Sequence, residues 1–100
     1  MAPEIISVVL KKYVWESGSG KKTEDNTILP EYIQIDTLHY RAVAYIDHYG
    51  TTIDSGHYVT TALRKEADSK LAWYEFNDNL VSQVEYAPSA YTYMIIYNYV

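Results

Sequence analysis

Apolar and polar residues alternate along most of this chain, and nowhere do apolar residues recur at helical spacing over a useful length. That pattern restricts the fold to strands. Ile5–Trp15 is dense in β-branched and aromatic residues, and Tyr32–Asp36 alternates as a half-buried strand does. His39–His48 sets Ala42, Ala44 and Ile46 on one face and Val43, Tyr45 and Asp47 on the other. His57–Leu63, Leu71–Phe76, Leu80–Val84 and Tyr91–Tyr99 read as further strands, and Thr27–Leu29 as an extended piece stopped by Pro30. Glu16–Asn26 holds two of the 4 glycines and no large apolar residue, so an exposed loop is expected there. The best helical candidate, Glu66–Leu71, is too short to stand alone. The expectation is a single domain over residues 1–100, mainly β, with an antiparallel sheet of about six to seven strands.

Composition narrows the function classes. At 48% hydrophobic, with 12 tyrosines, the chain has enough apolar and aromatic surface to fold. A net charge of -5 argues against a general nucleic-acid binder and against an anionic-membrane binder. No apolar run approaches the roughly 20 residues of a spanning helix. The expected setting is intracellular, cytoplasm or nucleus. Cys 0 removes disulfides, cysteine-ligated zinc and any thiolate nucleophile from these residues.

One pair of residues follows from hairpin geometry. If His57–Leu63 and Leu71–Phe76 form a hairpin with its turn centred at Ala67, His57 faces Asn77 across the open end. Opposed residues share a face, with Cα atoms roughly 4.5–5.5 Å apart, so an imidazole and an amide oxygen can meet. A partner of this kind fixes a histidine tautomer and makes the ring a directed base. A one-residue bulge would put Asp78 there instead.

The surrounding residues resemble a family. Gly56-His57-Tyr58-Val59, followed by Trp73-Tyr74-Glu75-Phe76-Asn77-Asp78, is similar to the histidine box of the ubiquitin-specific proteases, G-H-Y then W-Y-x-F-[DN]-D. His48-Tyr49-Gly50 stands where that family has H-x-G, and Leu10-Lys11-Lys12-Tyr13 where it has L-K-R-F. Leu80–Val84 and Ser89–Tyr97 resemble its last two strands, so the likeness runs nearly the whole chain. The resemblance implies the C-terminal β half of a papain-like cysteine protease (α+β) fold. It implies His57 as general base, Asn77 as the residue that orients it, and Asp78 as an adjacent polar helper. Gly56, Tyr58, Ser55 and Tyr49 would contact the substrate, and the partner would be ubiquitin or a ubiquitin-like protein. No cofactor is implied.

The departure from the family is the missing cysteine. A cysteine–histidine mechanism needs a thiolate, and these residues contain none. The expectation is therefore a histidine-box segment of a deubiquitinase, inactive alone, whose cysteine-bearing lobe lies elsewhere, for instance on another chain. The alternative is a non-catalytic ubiquitin- or protein-binding module, a pseudoenzyme or fragment, with homo-oligomerisation as one way to cover its sheet. A weaker reading takes Ile53-Asp54-Ser55-Gly56 as the loop of a dimeric retroviral-type aspartic protease using Asp54; no glycine follows Gly56, as that fold requires. His39, His48 and His57 do not suggest a metal site, because one strand would hold the first two about 30 Å apart.

Overall fold

The structure is a computed structural model that describes residues 3–10, 13–16, 19–22, 29–50 and 56–100, the second and third of these as backbone only. All nine of its regular elements are strands: β1 (Ile5–Val9), β2 (Tyr13–Glu16), β3 (Ser19–Lys22), β4 (Tyr32–Ile35), β5 (Leu38–Tyr49), β6 (His57–Lys65), β7 (Leu71–Asn77), β8 (Leu80–Val84) and β9 (Thr92–Tyr99). Seven form one antiparallel sheet in the order β1-β9-β5-β6-β7-β8, with β4 pairing the first half of β5. The 12-residue β5 is the spine, pairing β9 along one edge and β4 then β6 along the other. The mainly β, antiparallel fold is as expected.

Three local expectations need correction. Ile5–Trp15 is not continuous: β1 ends at Val9, and β2 leaves the main sheet to pair with β3. Ser19–Lys22, expected within a loop, is thus a strand whose Ser19 pairs Glu16. A strand written in Ser, Gly and Lys carries no apolar alternation to detect. The charged stretch before Leu71 is a hairpin turn, as its place between two strands implies, with Glu66 N–H donating to the Lys70 carbonyl at 2.7 Å and Ser69 at φ 69. The faces of β5 also change partway. Ala42 pairs Tyr97 and Ala44 pairs Ile96, so Val43 is an extra residue, a bulge that turns Tyr45 to the face that buries Tyr40 and Ala42. Thr27 and Ile28, read as extended, lie outside the described residues.

That face carries the core: Tyr40, Ala42, Tyr45, Trp73, Ile95 and Tyr97, all buried, with Ile6, Val8, Leu29, Leu63 and Tyr86 packed against them. Tyrosine serves here because each hydroxyl ties a covering segment to the sheet. Tyr40 donates to the Pro3 carbonyl at 3.0 Å, Tyr97 to that of Pro30 at 2.8 Å and Tyr86 to that of Leu29 at 2.9 Å. A phenylalanine would leave those carbonyls short of a donor. Tyr45, Trp73 and Tyr86 form an aromatic triangle, with ring centroids 5.1–5.8 Å apart. Ile95 is completely buried beside them. Ile95→Ala is expected to cost about 2–5 kcal/mol, transfer and cavity terms together, read as a lower midpoint in urea unfolding.

Candidate active site

The core face ends at the mouth of the sheet, and its strand pairs step out to solvent in order. Tyr45 pairs Thr61, Asp47 pairs Val59 and Tyr49 pairs His57. Alternate residues share a face, so His57 emerges on the side that buries Tyr45. Asn77 arrives from β7 on that same face, two residues beyond Glu75, which pairs Thr61. Its place is fixed by pairing with Leu80 across a two-residue turn, with Asp78 at φ 53. Aspartate tolerates that left-handed backbone, and Asn-Asp-Asn is a turn sequence for this reason.

The two side chains meet. His57 Nε2 lies 2.6 Å from Asn77 Oδ1. Asp78 Oδ2 stands 4.0 Å from the same nitrogen, at the limit of an ion pair, and its side chain is 80% exposed. Both facing groups are oxygen acceptors, so Nε2 carries a proton and donates it to Asn77, and Nδ1 is the ring nitrogen left outside this contact. The register behind this contact differs from the expected one. Lys65 pairs Leu71, so the turn is centred on Asp68 rather than Ala67, and the ladder continued would put His57 opposite Asn79. The offset is two residues. It preserves the face and makes the contact a diagonal, within reach of an imidazole and an amide.

The other described candidates divide between the two faces of the sheet. Tyr49 lies opposite His57, its ring against Tyr91 at 4.6 Å between centroids. Burial, then the Asp47 and Glu75 carboxylates, raises the Tyr49 phenol above its ordinary pKa, so this rim stays an uncharged hydrogen-bonding surface. Tyr58, one residue from His57, points to the opposite face of β6 and stacks on His48, centroids 4.5 Å apart. Gly56 holds φ 125, in the region that favours glycine. Ser55 and Asp54 lie outside the described residues. Periodicity gave no sign of one buried pair behind the site: the Thr92 hydroxyl donates to Asp47 Oδ1 at 2.5 Å, tying β9 to β5. Among the described residues no group of three or more His, Cys, Asp and Glu is placed to hold a metal ion, and no helix is long and apolar enough to cross a membrane.

An imidazole whose protonated nitrogen is held by an amide oxygen, at the mouth of an antiparallel sheet, is the arrangement of base and orienter in Cys–His–Asn hydrolases. Residues 1–97 match the family model described as ubiquitin carboxyl-terminal hydrolase, and the chain belongs to that family. It is 40% identical over 60 residues to ubiquitin carboxyl-terminal hydrolase 14 of Schizosaccharomyces pombe, a match covering 60% of this chain and 8% of that protein. Among solved structures, the Ubp8–Sgf11–Sgf73–Sus1 SAGA DUB module superposes with a TM-score of 0.81 at 23% identity, over 98% of this chain and 24% of that one. The SAGA DUB module bound to monoubiquitin gives 0.80 over the same shares, also at 23% identity. An essential yeast splicing factor gives 0.77 at 13% identity, over 99% of this chain and 25% of that one. The chain therefore spans about a quarter of the length of the structures it matches, and these likenesses show the fold.

Proposed function

We propose that this chain is the base-bearing C-terminal half of a ubiquitin-specific-protease-type catalytic domain, and that His57 and Asn77 serve the thiol-dependent hydrolysis of ubiquitin conjugates. The observation that carries the reading is the 2.6 Å contact between His57 Nε2 and Asn77 Oδ1. With Nε2–H committed to Asn77, Nδ1 is the nitrogen free to accept a proton. In the proposed reaction it takes the proton of a cysteine thiol supplied by a lobe outside these residues. The thiolate attacks the isopeptide carbonyl carbon, and the tetrahedral intermediate collapses as the imidazolium protonates the departing lysine amine. His57 then deprotonates a water that attacks the thioester, releasing the ubiquitin carboxylate and restoring the thiol. Asn77 keeps the ring aimed throughout, and Asp78 is the adjacent polar helper. Gly56, Tyr58, Ser55 and Tyr49 are assigned to the passage of the ubiquitin tail.

A second reading has its own support. Without a cysteine these residues supply no attacking atom, and one protein of the same fold is a splicing factor, so the fold by itself does not dictate hydrolysis. In that reading the same face binds ubiquitin without cleaving it. Both readings predict that unlabelled ubiquitin shifts the amide resonances of Tyr49, Gly56, His57 and Tyr58 in the labelled chain. An unchanged spectrum at millimolar ubiquitin rejects both. They part when a cysteine-bearing lobe of a family member is added: release of rhodamine from ubiquitin–rhodamine is expected only if the site is catalytic.

A further inference from the structure

The segment that carries the base is held from one side. The β6–β7 ladder runs from Lys65 to Thr60, whereas His57, Tyr58 and Val59 pair with Tyr49, His48 and Asp47 of β5. The aim of His57 therefore depends on how β5 holds the first three residues of β6. Of those three pairs, His48 and Tyr58 stack their rings, with 28° between the planes. The His48 ring is completely buried although it lies near the end of its strand, while Tyr58 above it is half-exposed. Gly56 closes the other side. A Cβ on Gly56 would come within 2.5 Å of His48 Nε2 and would also strike the Tyr49 carbonyl oxygen, so the backbone entering β6 rests on the imidazole. Tyr93 packs edge-on with Tyr58, their ring centroids 5.9 Å apart. The His48 backbone is itself anchored, its main-chain N–H donating to the Tyr91 carbonyl at 2.9 Å.

We propose that His48 is a positioning residue, whose buried ring, clasped between Gly56 and Tyr58, sets the direction in which His57 is presented to Asn77. The proposal rests on the reading of His57 and Asn77 as base and orienter. The physical need is specific. The His57–Asn77 contact is a diagonal one, closed at 2.6 Å across a two-residue offset, so it has little slack for sliding or tilting of β6. Removing the ring would leave a void beneath Gly56 and free Tyr58 to turn, and the first residues of β6 would move with it. Two adjacent residues on opposite faces thus share one support: Tyr58 receives it through its ring, and His57 through the backbone between them.

The test reads the ring nitrogens of His57 by long-range proton–nitrogen correlation, with the Trp73 indole resonance reporting that the core is intact. The wild-type chain is expected to show one His57 tautomer, protonated on Nε2. Asn77→Ala is expected to abolish that preference, and His48→Ala to abolish it as well while the Trp73 signal stays in place. His48→Phe, which restores a flat ring but no ring nitrogens, is expected to retain it. Should His48→Ala fail to fold, Tyr58→Leu, at a half-exposed position, removes the same stack and is expected to give the same loss. Persistence of the single tautomer in a folded His48→Ala, or in Tyr58→Leu where that variant stands in for it, overturns the proposal. Equal loss in His48→Phe and His48→Ala does so too, because ring packing would then not be the agent. An unaltered His57 in Asn77→Ala refutes the underlying pair instead, which separates the two failures.

Discussion

Replacing His57 by alanine is expected to lower ubiquitin–rhodamine turnover by about 10²–10⁴-fold in a preparation reconstituted with a cysteine-bearing lobe, the range that a positioned acid–base residue supplies. The neighbours of His57 separate by geometry. Asn77→Ala removes the 2.6 Å partner, and the ring loses both its tautomer preference and its direction. A loss of about 10–100-fold is expected, as for other groups that act by orienting an imidazole. Asp78 stands 4.0 Å away on a side chain that is 80% exposed, so Asp78→Ala is expected to cost no more than about fivefold, the scale of an exposed ion pair. The ordering is the test. If Asp78→Ala proves more damaging than Asn77→Ala, the carboxylate orients the ring and the amide belongs only to the turn. If His57→Ala turns over at the wild-type rate, the imidazole is not the base.

The same pair shows which parts of the structure the sequence made legible. His57 and Asn77 were reachable because hairpin geometry conserves the face even when the register slips. The turn proved to be centred on Asp68, yet a shift of two residues returned both side chains to one side of the sheet. A slip of one would have separated them. Strand existence was equally readable in β5 to β9, where alternation and branched residues agree. What periodicity could not see was the bulge at Val43, which inverts the faces of β5 by inserting one residue. Burial of Tyr45 depends on that inversion. Nor could it find the clasp of Gly56 on His48, because a glycine packed against a ring leaves no alternation to count. β3 escaped for the converse reason: Ser-Gly-Lys-Lys has no apolar alternation of its own, although its partners Tyr13, Val14 and Trp15 in β2 do.

The tyrosines that assemble this core also set an upper limit in pH. Burial, and then the nearby Tyr97 phenol, raises the Tyr86 phenol far above its ordinary value, and burial raises Tyr97, against a smaller lowering from the neighbouring Tyr86 phenol. Tyr49 and Tyr93 are raised as well, burial being the first cause at each. A raised folded-state pKa means that the native state keeps its proton after the unfolded chain has lost it. The stabilisation is thus complete below the unfolded tyrosine value of about 10 and is lost as pH climbs from there toward the folded values. Each phenol still protonated in the native state steepens the decline by up to about 1.4 kcal/mol per pH unit. Ionising Tyr97 or Tyr86 also deletes the donor that holds Pro30 or Leu29 over the sheet, so the charge and the broken tether act together. Urea midpoints are expected to be insensitive to these groups up to about pH 10 and to fall steeply above it, with part of the tyrosinate absorbance appearing only as the strand circular dichroism collapses. Tyr97→Phe sharpens the expectation. It removes the bond to Pro30, costing about 1 kcal/mol at neutral pH, but it also removes one ionising phenol, so its stability should decline less steeply than the wild type's in alkali. Parallel declines for the two proteins, or tyrosinate absorbance that is complete while the sheet remains intact, would show that these phenols titrate without reference to the fold.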